Sequence, residues 1–303
     1  MLKSMGASLY VPANHPHLLS VANGERVAEA RSLIFCTEDS VSDKELSWAL
    51  FNLSVVLENM RTDIPADRFV RVRNADVLAR VLAMPGAEKL RGFVIPKSTR
   101  HNFDSYFRQV RDTEHLLMPT LETAEVFSDD EMQQFRAVLE APGVRNRILA
   151  LRIGGNDLLA LLGLRRPRTM TLYRTPLGPV IARLVTTFRP YGFSLTAPVF
   201  EHLDLPELLA EEMLEDMAYG MIGKTAIHPT QIAQIEQHYK VKPQDLAAAH
   251  AILDPDAPAV FRMHNSMCEV ATHRAWAERT VAQSRVFGAH PETSNLQTEK
   301  ETW

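Results

Sequence analysis

Cysteine is scarce in this chain: Cys36 and Cys268 are the two in 303 residues, and neither belongs to a Cys-x-x-Cys pair. That disfavours a disulfide framework and a thiolate zinc site, and a reducing, cytoplasmic setting is expected. Apolar runs are short. None reaches the roughly 18 residues of a membrane span, and the start of the chain lacks the charged end and long apolar stretch of a secretory leader, so no membrane partner is expected. Basic charge is not in excess either. The 33 Lys and Arg against 37 Asp and Glu give a net charge of −4, which argues against a nucleic-acid partner. There is no low-complexity segment, and no internal repeat beyond an alternation of short strands and helices.

That alternation is the main positive signal. Hydrophobic residues make up 46% of the chain, and short apolar runs predict strands at 8–12, 32–36, 69–74, 92–97, 115–122, 148–153, 193–199 and 221–227. Helical spacing separates them, notably at 16–29, 42–60, 177–191 and 205–219. Strands this apolar suit burial on both faces. Eight strand–helix units predict an α/β fold, a TIM-type (β/α)8 barrel, with an open doubly wound sheet as the alternative. Past Pro229 the alternation stops, and helices are expected at 243–253 and 263–284. The expected organisation is a catalytic barrel over 1–238, a C-terminal helical extension over 239–287 and a mobile polar tail over 288–303.

In such folds the chemistry sits where strands end. Those positions here hold Asn14, Glu38 and Asp39, Arg71 and Arg73, Lys97, Glu122, and Asn156 with Asp157. The set contains carboxylates and cations but no His triad and no activated Ser or Cys. Two carboxylates from different strands plus waters suit a hard, octahedral Mg²⁺. Arginines at the same mouth suit a substrate carboxylate or a developing oxyanion. If Arg71 and Arg73 both lie on a strand, alternation turns them the same way. Taken singly, Glu38, Asp39, Glu122 and Asp157 also read as helix caps and Lys97 as a loop residue. Together they favour a site.

The order of several short motifs then resembles the citrate lyase beta subunit-like aldolase/lyase superfamily. They are Leu9-Tyr10-Val11-Pro12-Ala13-Asn14, Glu38-Asp39-Ser40-Val41, Arg71-Val72-Arg73-Asn74, Pro96-Lys97, Leu121-Glu122-Thr123-Ala124, Gly154-Gly155-Asn156-Asp157-Leu158, and a block from Gly223-Lys224 through His228-Pro229 to Gln231-Ile232. The resemblance implies a TIM barrel, a Mg²⁺ cofactor (Mn²⁺ as substitute), and breakage or formation of a carbon–carbon bond beside a carbonyl. It implies Glu122 and Asp157 as metal ligands, Arg71 as the group that stabilises an enolate, and Glu38 and Asp39 as support at the edge. Arg73 is counted with them as a second cation, and Asn14, Lys97, Gly155 and Asn156 as substrate contacts. His228 is given a structural role. Trimers or their multiples are the implied assembly.

Departures from the family pattern bear on the substrate. Cys36-Thr37 precede Glu38-Asp39 where the family usually has Asp-Leu, Arg73 stands where it usually has Asn, and 14–17 lacks the Lys or Arg of acyl-CoA members. The expected activity is a Mg²⁺-dependent carbon–carbon lyase of the aldehyde- or oxo-acid-lyase type. Its partner would be a small carboxylate-bearing hydroxy acid, free or as a CoA thioester. The competing expectation is a non-catalytic scaffold subunit that retains the barrel. Phosphate binding at Gly154-Gly155 is weaker, since paired glycines are common in turns.

Overall fold

The computed structural model of the chain describes residues 5–27 and 29–291. They divide into a compact unit over Met5–Ile235 and a second that begins at Glu236. The first contains strands β1 (Gly6–Pro12), β2 (Ser32–Cys36), β3 (Asp67–Arg71), β4 (Gly92–Ile95), β5 (Leu116–Leu121), β6 (Leu151–Ile153), β7 (Leu195–Thr196) and β8 (Gly223–Ala226). All pair in parallel, in the order β7-β6-β5-β4-β3-β2-β1-β8. The two edges then meet: the Ala197 amide donates to the Gly223 carbonyl at 2.8 Å, and the Ile222 amide to the Leu195 carbonyl at 2.9 Å. The sheet closes into a (β/α)8 barrel with no free edge.

Helices run between the strands: α1 (Leu18–Ala22), α2 (Leu46–Asn59), α3 (Ala75–Leu82), α4 (Phe103–Val110), α5 (Asp129–Glu140), α6 (Gly155–Leu161), α7 (Leu177–Phe188) and α8 (Pro206–Ala218), with α9 (Thr230–His238) after β8. Local chemistry starts several of them. The Asn74 side chain accepts from the Val77 amide to cap α3, and Ser128 accepts from Glu131 to cap α5. The expected helix over 16–29 is instead five residues long, because Gly24 takes φ +72° one residue past Asn23 and ends it. Ile34, Phe69, Val94 and Met118, from the consecutive strands β2 to β5, and Ala150, just before β6, fill the barrel interior. Large apolar side chains buried this way contribute roughly 1.5–3 kcal/mol each.

The second unit departs from its expected reading. The stretch at 263–269 is not helical: β9 (Val260–Met263) and β10 (Ser266–Glu269) form an antiparallel hairpin between α10 (Pro243–Leu253) and α11 (Val270–Phe287). Its two-residue turn is His264-Asn265, with φ of +47° and +62°, the left-handed pair that matches strand twist. Ala249, Ile252, Phe261, Cys268, Ala277 and Val281 make this unit's own core. At the start of the expected tail, the His290 amide donates to the Val241 carbonyl at 2.9 Å. The rest of that tail, 292–303, lies outside the described residues. No helix among the described residues is long and apolar enough to cross a membrane.

Candidate active site

Parallel strands bring their C-terminal ends to one mouth, and Glu122 follows β5 there. Leu117, Met118 and Leu121 are fully buried and fix the strand, while Glu122 itself is 3% exposed. Its Oε1 accepts from the Lys97 amide at 2.8 Å and from Arg71 Nη2 at 3.2 Å. Lys97 reaches that position with φ +46°, a conformation unfavourable for a side chain with a Cβ and typical of functional loops. Oε2 faces β6, where a Cβ on Gly154 would lie 2.3 Å from it. Only glycine fits beside the carboxylate.

Arg71, the last residue of β3, gathers the acids. Its Nη2 lies 2.7 Å from Glu38 Oε2, 3.0 Å from Asp39 Oδ2 and 3.2 Å from Glu122 Oε1. Lys97 Nζ donates to Glu38 Oε1 at 2.8 Å and stands 3.7 Å from Asp39 and 3.8 Å from Asp157. The structure thus brings together Glu38, Asp39, Arg71, Lys97, Glu122 and Asp157. Burial pushes the Glu122 carboxyl up to about 7, with Asp157 and Glu38 adding to the rise and Arg71 opposing it. Burial and the hydrogen bond with Asp39 also raise Glu38. Asp39 is lowered: burial works against its charge but is outweighed by Glu38, Arg71 and Lys97. Burial would lower Lys97, yet Glu38 and Asp39 hold it above its ordinary value.

The donor set fits a divalent cation. Among the described residues no hydrogen bond reaches Glu122 Oε2, and the partly exposed Asp157 meets only Lys97. Both keep oxygen lone pairs toward the mouth, the hard donors Mg²⁺ prefers. No group of three or more His, Cys, Asp or Glu among the described residues is placed to hold one ion. Water and substrate would complete the shell.

The other expected residues have partners of their own. Asn14 Nδ2 donates to Glu45 Oε1 at 3.2 Å, and Asn156 Nδ2 to Glu201 Oε2 at 2.9 Å. Gly155 is buried as the first residue of α6, where a Cβ would meet Pro198 Cβ at 2.8 Å. His228 bonds to the Thr230 hydroxyl at 2.8 Å. Arg73 is not beside Arg71 on one strand face, because β3 stops at Arg71 and alternation does not extend past it. Its guanidinium binds the carbonyls of Thr37, Glu38 and Val41 and the Asp43 carboxylate. It clamps the loop that carries Glu38 and Asp39. Arg73→Asn is therefore expected to lower stability by about 1–2 kcal/mol with the barrel still folded; urea unfolding checks this, and an unchanged midpoint would remove the clamp.

Sequence reading gave no charge partner to two charged groups, Arg152 and the Lys224 of the Gly223-Lys224 motif. Arg152, in β6, is 2% exposed; its Nη2 donates to the Thr225 hydroxyl at 2.6 Å, and its guanidinium lies 5.4 Å from the Tyr10 ring centre. The available signal was a lone charge in a strand buried on both faces. Lys224, in β8, is fully buried and donates to Glu212 at 2.9 Å and Asp216 at 2.8 Å, both on α8. Arg166 also pairs with Glu212 at 2.5 Å.

A family model described as C–C bond lyase of the TIM-barrel fold matches residues 1–289. Among solved structures, the fold is similar to CitE from Mycobacterium tuberculosis in complex with magnesium, acetoacetate and coenzyme A. That match has a TM-score of 0.68 at 20% identity and covers 93% of this chain and 98% of that one. RipC from Yersinia pestis matches with a TM-score of 0.58 at 19% identity over 77% and 94%. Haloferax volcanii malate synthase in a magnesium/glyoxylate complex matches at 0.65 and 16% identity, over 77% of this chain and 74% of that one. No curated protein sequence matches.

Proposed function

The chain belongs to the C–C bond lyases of the TIM-barrel fold, and from that premise we propose that it is a magnesium-dependent lyase or aldolase. It would break or form a carbon–carbon bond next to a carbonyl in a small carboxylate-bearing hydroxy acid, free or as a thioester. The observation that carries this reading is the pair Glu122 and Asp157, two acids at one mouth with oxygens left open. They would hold the ion, Mg²⁺ or in its place Mn²⁺. The magnesium in the CitE and malate synthase structures supports the same assignment.

Bound there, the ion would act as a Lewis acid on the substrate's carbonyl oxygen. The chain's own groups do the rest. Arg71, pinned by Glu38, Asp39 and Glu122, is a fixed cation where negative charge develops as the bond breaks to an enolate. Its three acids hold it in place, so little reorganisation is needed at the moment of reaction. Glu38 accepts from Lys97 Nζ at 2.8 Å and so fixes that ammonium at the mouth. Family likeness also supports a homo-oligomer, a trimer or a multiple of one.

Binding to the folded state alone stabilises by mass action, about 2.7 kcal/mol at a hundredfold excess over Kd. Mg²⁺ is therefore expected to raise the Tm, and Glu122→Gln or Asp157→Asn to abolish the rise together with lyase activity. An unchanged metal response in both variants would leave the scaffold reading in front.

A further inference from the structure

TIM-barrel interiors are usually filled with branched hydrocarbon side chains, yet the layer beneath this mouth is polar. Arg152 is buried there, and its partners are the Thr225 hydroxyl at 2.6 Å, the Met118 sulfur at 3.9 Å and the Tyr10 ring. Among the described residues no carboxylate pairs with it. A buried guanidinium without a counterion is costly, so its retention asks for an anion from outside the chain.

The neighbours point the same way. Arg152 lies in register between Thr120 of β5 and Thr196 of β7, and register partners in a parallel ladder share a face. The hydroxyls of Thr120 and Thr196 are both buried without a hydrogen-bond partner. Orphaned polar atoms of this kind mark room for a water or a ligand oxygen. Two residues on, just past β6, stands Gly154, which adds no side chain of its own and leaves that place to the Glu122 carboxylate. Arg71 lies across the Tyr10 ring at 5.9 Å, but its Nη2 is already committed to three acids. At the mouth Glu38, Asp39, Glu122 and Asp157 face Arg71 and Lys97, a set that one divalent cation balances. The charge of Arg152 is left over.

We propose that Arg152, with the hydroxyls of Thr120 and Thr196, is the anion-binding floor of the site and selects substrates with a second carboxylate. The ligand class is a small dianionic oxo or hydroxy acid, its carbonyl end at Glu122 and Asp157 and its distal carboxylate on the guanidinium. A guanidinium binds such a group bidentately, and the two threonines can donate to its remaining lone pairs. This inference rests on the lyase reading of the mouth.

Calorimetry with pyruvate as the monoanion and with oxaloacetate and 2-oxoglutarate as dianions, each with and without Mg²⁺, tests it. The wild-type protein is expected to bind at least one dianion tenfold or more tightly than pyruvate. Arg152→Met should bring that affinity down to the pyruvate level while leaving the Mg²⁺-induced rise in Tm intact. Arg152→Lys, which keeps the charge but not the fork, should retain part of the preference and guards against a methionine variant that does not fold. Equal binding of mono- and dianions by the wild-type protein, or a preference that survives in Arg152→Met, overturns the proposal; so does a failure of both variants to fold, which would make the charge structural. A dianion preference that depends on Arg152 but appears without any Mg²⁺ response would uphold the floor and sink the lyase reading instead.

Discussion

Replacing Lys224 with methionine is expected to destabilise the protein by about 3–5 kcal/mol. The ammonium is fully buried, 2.9 Å from Glu212 Oε1 and 2.8 Å from Asp216 Oδ2. Desolvation works against its charge, but Asp216 and Glu212 hold it protonated. After the change Glu212 keeps Arg166 and the Leu172 amide, whereas among the described residues Asp216 keeps only the Tyr173 hydroxyl at 2.6 Å. An ionised Asp216 then has no counterion, and its folded-state pKa rises further above the unfolded one. The deficit is thus small in acid, grows as pH rises through the unfolded carboxyl range, and levels off above the folded value. Adding Asp216→Asn should restore much of the loss, since a neutral amide still accepts from Tyr173. Urea unfolding at neutral pH reads both variants, and a loss under about 1 kcal/mol for Lys224→Met would show that water reaches the cluster.

The second large effect is a pH dependence of the metal-free protein. Glu122 has a folded-state pKa of about 7 against an ordinary 4.5. Below the ordinary value both folded and unfolded chains hold the proton. Between the two values the unfolded chain releases it while the folded one retains it, so stability falls as pH rises; above about 7 both have released it and the loss is complete. The difference between the two pKa values corresponds to ~3 kcal/mol. In the presence of chelator, wild-type stability should therefore drop by that order between about pH 4.5 and 8 relative to Glu122→Gln, which has nothing to titrate there. The comparison reads Glu122 together with its coupling to Asp157, Glu38 and Arg71. Parallel curves for the two would mean that Arg71 and the Lys97 amide offset the cost of burying the ionised carboxyl.

The barrel was legible because its strands are short apolar runs ended by polar residues, and the ends of those runs name Glu38, Asp39, Arg71, Lys97, Glu122 and Asp157. What sequence does not carry is where a side chain goes once its strand has stopped. Arg73 shows this: two residues past Arg71 looked like the same face, but the chain has already turned into the loop. The hairpin at 260–269 was hidden for another reason. Its apolar residues also fit helical spacing, and only His264-Asn265, two residues able to take positive φ, argued otherwise. Arg152 and Lys224 depend on partners from distant segments, Thr225 and Tyr10 for one, Glu212 and Asp216 for the other. Glu212 and Asp216 sit four apart on α8, which reads as an ordinary charged helix surface until the fold turns that side inward.

Gly154 and Glu122 are bound together by space. Any side chain at 154 would put its first carbon 2.4 Å from Glu122 Cβ and 2.3 Å from Oε2, so glycine is required at 154 whichever side chain stands at 122. A descendant that exchanged Glu122 for any other residue with a Cβ would still require glycine at 154, so the space beside the lost carboxylate would stay open. Loss of the carboxylate would in this way stay reversible: with glycine held at 154, a single substitution back to glutamate at 122 would rebuild the mouth.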